Sequence, residues 1–188
     1  MSHENVEAVR RPLRVSERRS RTLEQRLGVR FPWLVVAQAT LIGRLPPKSR
    51  LRGRMVWRGT RLGMEAFNRR DVDAAVLAGH ADFEMNPPRE YVEVGFFEPT
   101  YRGVEGFRKY VSTWSEVLGA ELGVQPTELI DLGDRVVLLA DLAGRAQASG
   151  VPFTGKIATV STLRRGRATR VQMFLNHAEA LEAVGLSE

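Results

Sequence analysis

Val136-Val137-Leu138-Leu139-Ala140-Asp141-Leu142-Ala143-Gly144-Arg145-Ala146-Gln147 is the stretch on which the fold turns. At the two-residue period of a strand, one face is Val136, Leu138, Ala140, Leu142, Gly144 and Ala146, apolar throughout. The other is Val137, Leu139, Asp141, Ala143, Arg145 and Gln147, which turns polar towards its end, as an exposed or interface face does. Working outward, Ser149-Gly150 marks a turn, residues 153–163 return as a second long strand, and Arg165-Gly166 makes a hairpin into a last strand over 169–175. On the N-terminal side the strand pattern begins at Pro126 and runs through Leu129-Ile130-Asp131 to a tight turn at Gly133-Asp134. Asn176 with Glu179 three residues on predicts a capping box for a short terminal helix.

Upstream the period changes to that of helices. Phe107, Tyr110, Val111, Trp114 and Leu118 form one stripe of a helix opened by Gly103. Before it come a short helix over 72–78, a strand over 82–86 closed by Pro87-Pro88, and a loop rich in aromatics and acids. Leu23, Leu27, Phe31, Leu34, Gln38, Leu41 and Leu45 follow helical spacing, and Pro46-Pro47 ends that element. Ser49 is the N-cap expected for a second long helix carrying Leu51, Met55, Leu62 and Ala66 on one face. Val6, Val9 and Leu13 give residues 1–20 the pattern of a short helix or loose tail. Helices followed by an antiparallel meander make an α+β order.

The 188 residues suit one domain with an appendage, and the 43% hydrophobic share is ample for a core. There is no cysteine, so disulfide, thiolate-nucleophile and thiolate-metal chemistry are excluded. His3, His80 and His177 are too scattered for a ligand cluster, so a histidine-built zinc site is not expected. No metal and no cofactor are expected. The net charge of +6 is uneven: residues 1–60 hold 14 Lys or Arg against 4 Asp or Glu, and the remainder is net −4. The basic excess belongs to an arm, whose apolar stripes call for burial on the body. That argues against nucleic-acid binding. The longest apolar run, residues 31–43, is too short to span a membrane, and a cytoplasmic location is expected.

Five strings, in this order and spacing, carry a family resemblance. They are Ala66-Phe67-Asn68-Arg69-Arg70-Asp71-Val72-Asp73-Ala74, then His80-Ala81-Asp82-Phe83-Glu84, then Tyr101-Arg102-Gly103 with Glu105-Gly106. Leu129-Ile130-Asp131-Leu132-Gly133-Asp134-Arg135-Val136 and the ending Ala178-Glu179-Ala180-Leu181-Glu182-Ala183-Val184-Gly185-Leu186 complete the set. Together they resemble the SnoaL-like branch of the nuclear-transport-factor-2-like superfamily, over residues 61–188. Glu4-Asn5-Val6-Glu7-Ala8-Val9-Arg10-Arg11 also looks like the start of short members, which leaves residues 12–60 as extra helical material. The resemblance implies a cone: a curved antiparallel sheet wrapped on helices, with an apolar pocket at the open end. Residues 1–60 are then expected as a basic helical extension packing on the 61–188 domain. The fold hosts cyclases, isomerases, epoxide hydrolases and non-enzymatic modules, so only the site residues can choose among them.

Two catalytic patterns of that superfamily fail here. Where a ketosteroid-isomerase pattern wants a carboxylate base, before a proline at the end of the first strand, the sequence has Asn86-Pro87. An amide cannot take a proton. The partner positions of that pattern, near Thr159 and Gly63, also lack an acid and a tyrosine. The Arg-x-Asp pair of an epoxide hydrolase aligns with Arg145-Ala146-Gln147 and its further Asp with Met173, so both carboxylates are missing. Parity points Asn86, Thr159 and Ser161 inward as polar anchors in an otherwise dry pocket. The candidate ligand-binding set is therefore Asn86, Trp114, Leu142, Thr159, Met173 and Leu175, with no catalytic residue assigned. His80 reads as a surface or edge residue and His177 as structural. The expected function is binding of a small hydrophobic molecule, with or without cyclase-, isomerase- or hydrolase-type chemistry, in a homodimer formed through the outer sheet face. The competing reading is a non-catalytic dimerisation or protein-interaction module that uses the basic arm.

Overall fold

The computed structural model describes residues 9–12, 20–119, 122–145 and 150–186. In chain order these form β1 (Val9–Pro12), α1 (Leu23–Arg30), α2 (Pro32–Ile42), α3 (Arg50–Asn68), α4 (Val72–Ala75), β2 (Gly79–Asn86) and α5 (Arg89–Glu93). Then follow β3 (Tyr101–Arg102), α6 (Gly103–Leu118), β4 (Gly123–Asp131), β5 (Arg135–Arg145), β6 (Pro152–Arg164), β7 (Arg167–Phe174) and α7 (His177–Glu182). The strands make one sheet in the order β1-β4-β5-β6-β7-β2-β3. Every neighbouring pair is antiparallel except β2 and β7, which run parallel. The sheet is thus mixed where the sequence reading expected an antiparallel one. The cause is topological: the chain passes through α5, β3 and α6 before the meander returns to the edge of β2.

Local chemistry sets the helix ends. Thr22 and Gln25 form a reciprocal capping box that starts α1, and the Ser49 hydroxyl accepts from Arg52 N to start α3. Asn176 caps α7 by accepting from Ala178 N at 2.9 Å, so the Asn–Glu capping box expected there is realised only in its Asn half. At the β6–β7 hairpin, Arg165 (φ 52°) and Gly166 (φ 73°) both have positive φ, as a tight two-residue turn matched to strand twist requires.

Two layers of side chains lie on opposite faces of the sheet. Inside, Phe67, Phe83, Phe107, Tyr110 and Trp114 build an aromatic core with Met85 and Leu142. Trp114 meets Phe67 edge-on, with ring centroids 6.1 Å apart. Outside, Val137, Leu139, Ala158 and Val160 are covered by Ala180, Leu181 and Val184 from α7 and the turn after it. That part of the outer face, which the sequence reading left for a partner, is sealed by the chain itself.

The N-terminal segment departs from its expected form. Residues 9–12 are not helical; they form an edge strand on β4, with Val9 opposite Asp131 and Pro12 opposite Glu128. The helix-like spacing of Val6, Val9 and Leu13 carried no weight against an open ladder edge, and a proline is tolerated on such an edge. Val6, Leu13, the Glu4–Ala8 part of the opening string, Ala146, Gln147 and Ser149 lie outside the described residues.

The helices of the arm are tied to the body through buried polar groups. Arg52, 2% exposed, forms a two-pronged bridge to Asp131 at 2.8 and 2.9 Å and also donates to the carbonyls of Leu45 and Gly133. Gln25 donates to Leu62 O at 2.8 Å and accepts from Arg69. Of the first stripe, which called for burial, Leu23, Leu27, Phe31, Leu34 and Leu41 instead lie exposed; of the second, Leu62 and Ala66 are buried and Leu51 is exposed. Because α2 is apolar all round, its periodicity could not say which side would turn inward; Val35, Ala39 and Ile42 do so.

Candidate functional site

A cavity of about 310 Å³ lies between the inner face of the sheet and the helices. Three rungs of the sheet form its floor. Val136, Ser161, Val171 and Met85 stand side by side across β5, β6, β7 and β2. Leu138, Thr159 and Met173 make the next rung, and Ala140 with Ile157 the third. All of these residues line the cavity. Residues of one rung lie on one face because side chains alternate along a strand.

One wall comes from α6, which presents Phe107, Tyr110 and Trp114 at helical spacing. The facing wall is α3, through Val56, Gly59, Gly63, Met64 and Phe67. The roof is α2, through Val35, Ala39 and Ile42. Glu24, Gln38 and Arg58 mark the outer end, where Arg58 Nη2 pairs with Glu24 Oε2 at 2.7 Å. The roof is held by a close backbone approach: a Cβ on Gly166 would overlap the carbonyl oxygen of Ala39, and one on Gly43 would come within 2.8 Å of the Arg165 carbonyl carbon.

The polar groups deep in the cavity are few and neutral. Tyr110 is fully buried and donates its hydroxyl to Met173 Sδ at 2.8 Å. Burial pushes its pKa well above the ordinary tyrosine value, and the nearby Trp114 N–H only tempers that rise, so the phenol stays protonated. Trp114 Nε1 is itself buried without a hydrogen-bond partner of normal geometry among the described residues. Thr159 and Ser161 add hydroxyls from the floor. Among the described residues the carboxylate bordering the cavity is Glu24, at its outer end and already paired. The arrangement can hold an apolar body and donate hydrogen bonds to it. A deep general base is not among the lining groups.

Of the six residues singled out from sequence, Trp114, Thr159 and Met173 line this cavity. Leu142 packs in the aromatic core one rung beyond it, opposite Gly155 and Val124. Asn86 pairs with Gln172, on the face opposite to Met85 and Val171, so its side chain leaves the cavity by one step of parity. There it donates to Thr100 Oγ1 at 2.9 Å and accepts from Arg170 Nε at 2.9 Å. β7 ends at Phe174, which leaves Leu175 in the bend before α7. Sequence reasoning missed Tyr110, although it sits in the same helical stripe as Trp114. It also missed Val35, Ala39 and Ile42, for which an all-round apolar helix gives no signal.

The two histidines behave differently. His80 is partly exposed, 4.0 Å from Asp82. His177 Nε2 lies 3.1 Å from Ala140 O and 3.2 Å from Ile157 O, so that nitrogen carries a proton and clasps β5 to β6 behind the cavity floor.

Similar proteins give the arrangement a family. A model of the SnoaL-like domain matches residues 61–171. Among solved structures, TerC co-crystallised with polyporic acid is similar at 25% identity and TM-score 0.57, over 66% of this chain and 94% of that one. An NTF2-like protein of unknown function from Burkholderia pseudomallei is similar at 25% identity and TM-score 0.57, over 68% and 95% of the two chains. A protein with a ketosteroid isomerase-like fold from Catenulispora acidiphila, in complex with trimethylamine, shares the fold at 19% identity and TM-score 0.53, over 68% and 92%. No curated protein matches the sequence. With a match over more than half its length and a cone of helices and sheet to go with it, the chain belongs to the SnoaL-like domain family.

Proposed function

We propose that this protein binds one small, largely apolar molecule in the cavity between its sheet and α3, α6 and α2. The observation that carries the reading is an apolar space of about 310 Å³ with a handful of neutral hydrogen-bond donors in its wall. That size is at the lower end of ordinary ligand pockets, which suits a body of two or three fused rings or a short branched chain. The hydroxyl of Tyr110 is the anchor for an acceptor oxygen on that molecule. Its present acceptor, the Met173 thioether, is weak and easily replaced. A similar structure, TerC, was co-crystallised with polyporic acid, which supports the reading. If a reaction follows binding, the Tyr110 phenol supplies a hydrogen bond to an oxygen that gains charge.

Gly63 gives a clean test. It lines the cavity from within α3, and a Cβ there would meet only Ala75 O, at 3.8 Å. Gly63→Leu fills the space while raising helix propensity by about 1 kcal/mol. The wild-type chain is expected to gain melting temperature, and to show quenched tryptophan emission, with naphthol or anthraquinone as probes. Gly63→Leu should melt no lower than wild type and lose both responses. Equal probe binding by the variant would overturn the assignment of the site.

A further inference from the structure

The second face of α2 has no partner among the described residues. Phe31, Trp33, Leu34 and Leu41 are exposed, Trp33 at 66% and Leu41 at 63%, and no residue of α2 is buried. Beside them on α1 lie Leu23, at 73%, and Leu27. A helix that is apolar on every side is ordinarily covered on every side. α2 carries no charged residue at all, yet exposed cations flank it: Arg26 and Arg30 before it, Arg44, Arg50 and Arg54 after it. Arg26 and Arg30 are four apart and border the Leu23–Leu27–Phe31 row, so cation and hydrocarbon share one surface.

The occupant is chosen by charge. A second copy seated across a two-fold axis would set this cationic surface against itself, because the first 60 residues are net +10. An apolar strip with an exposed tryptophan and flanking arginines instead matches the boundary of an anionic bilayer, where hydrocarbon enters the acyl region and guanidinium groups meet lipid phosphates. The cavity mouth adjoins the same surface. Gln38 is exposed and lines the cavity, and it lies one helical turn from both Leu34 and Leu41. We propose that the α1–α2 face docks on an anionic lipid surface and turns the cavity mouth towards it. This contact lies parallel to the bilayer, and no helix of the described residues is long and apolar enough to cross one.

The test is flotation of the full chain with vesicles of equimolar phosphatidylcholine and phosphatidylglycerol, against vesicles of phosphatidylcholine alone. The anionic vesicles are expected to carry the protein at low salt and to release it as salt rises. Trp33→Glu with Leu41→Glu places acid on the exposed strip; it should weaken binding at least ~10-fold with no fall in melting temperature. Arg26→Gln with Arg30→Gln and Arg44→Gln should weaken it through charge alone. Brominated acyl chains should quench emission in the wild type and much less in Trp33→Phe. The proposal is overturned by full binding of the Trp33→Glu/Leu41→Glu variant, or by equal binding to neutral vesicles. It is also overturned if the chain is a dimer that the acidic variant converts to a monomer, or if a DNA duplex binds as tightly as the vesicles.

Discussion

Replacing Asp131 by Asn neutralises one end of the bridge that holds α3 on the sheet. Arg52 and Asp131 are 2% and 5% exposed in their side chains, and their contacts are short and two-pronged. A pair this deeply buried leaves an uncompensated guanidinium when its carboxylate is removed, at a cost of about 3–5 kcal/mol. An exposed pair such as Arg58–Glu24 would cost under about 1 kcal/mol. For a chain of this size each kcal/mol moves the melting temperature by about 2–4 °C, so Asp131→Asn should melt ~6–20 °C lower. Arg52→Met with Asp131→Leu should recover part of the loss, because no charge remains buried. Recovery stays incomplete, since Gly133 N, 3.0 Å from Asp131 Oδ1, and the Leu45 and Gly133 carbonyls lose their partners. Thermal melts by far-ultraviolet circular dichroism at two salt concentrations give the readout. A drop of less than about 2 °C for Asp131→Asn, or a drop abolished by salt, would refute a buried anchor. Because α3 also forms a cavity wall, the same variant should bind hydrophobic probes more weakly.

Three further outcomes follow from particular contacts. Gly166→Ala should cost more than the ~1 kcal/mol of a positive-φ glycine, because its Cβ overlaps the Ala39 carbonyl and lifts the roof helix. Gly150→Ala, with φ +65° and no atom of the described residues within 4 Å of its Cβ, should cost only that strain, and urea titration of both separates the two effects. His177→Phe removes the clasp on the Ala140 and Ile157 carbonyls and should lower unfolding free energy by about 1–3 kcal/mol. Asp71 is held below the usual carboxylate range by the hydrogen bonds from Arg21, with Ala74 N and Arg69 helping. A depressed native pKa stabilises the fold above the unfolded value and is lost as acid brings the pH down through the native one. Asp71→Asn should therefore flatten the acid limb of the melting-temperature profile, and an unchanged limb would contradict the role of that pair.

The long strand was legible over 136–145 because its parity is a local property, and the hairpin at Arg165-Gly166 because positive φ leaves a mark in residue type. The aromatic stripe of α6 was legible for the same reason. Its period of about 3.6 places Phe107, Tyr110 and Trp114 together whatever surrounds them. Asn86 was misplaced by a single residue. Where a strand pairs in parallel with a partner more than eighty residues away, no local pattern shows which rung it joins.

The sequence by itself determined the α+β order, the family resemblance and the inward row Val136–Leu138–Ala140, since propensity, period and turn chemistry act over a few residues. Tertiary structure decided what those elements enclose. It put residues 9–12 on an open strand edge, spent the outer face of β4, β5 and β6 on α7, and turned Val35, Ala39 and Ile42 rather than Leu34 and Leu41 towards the cavity. An apolar helix has no preferred side until another surface supplies one. Here that surface is the glycine contact between Gly43 and Gly166, together with the buried Arg52–Asp131 bridge.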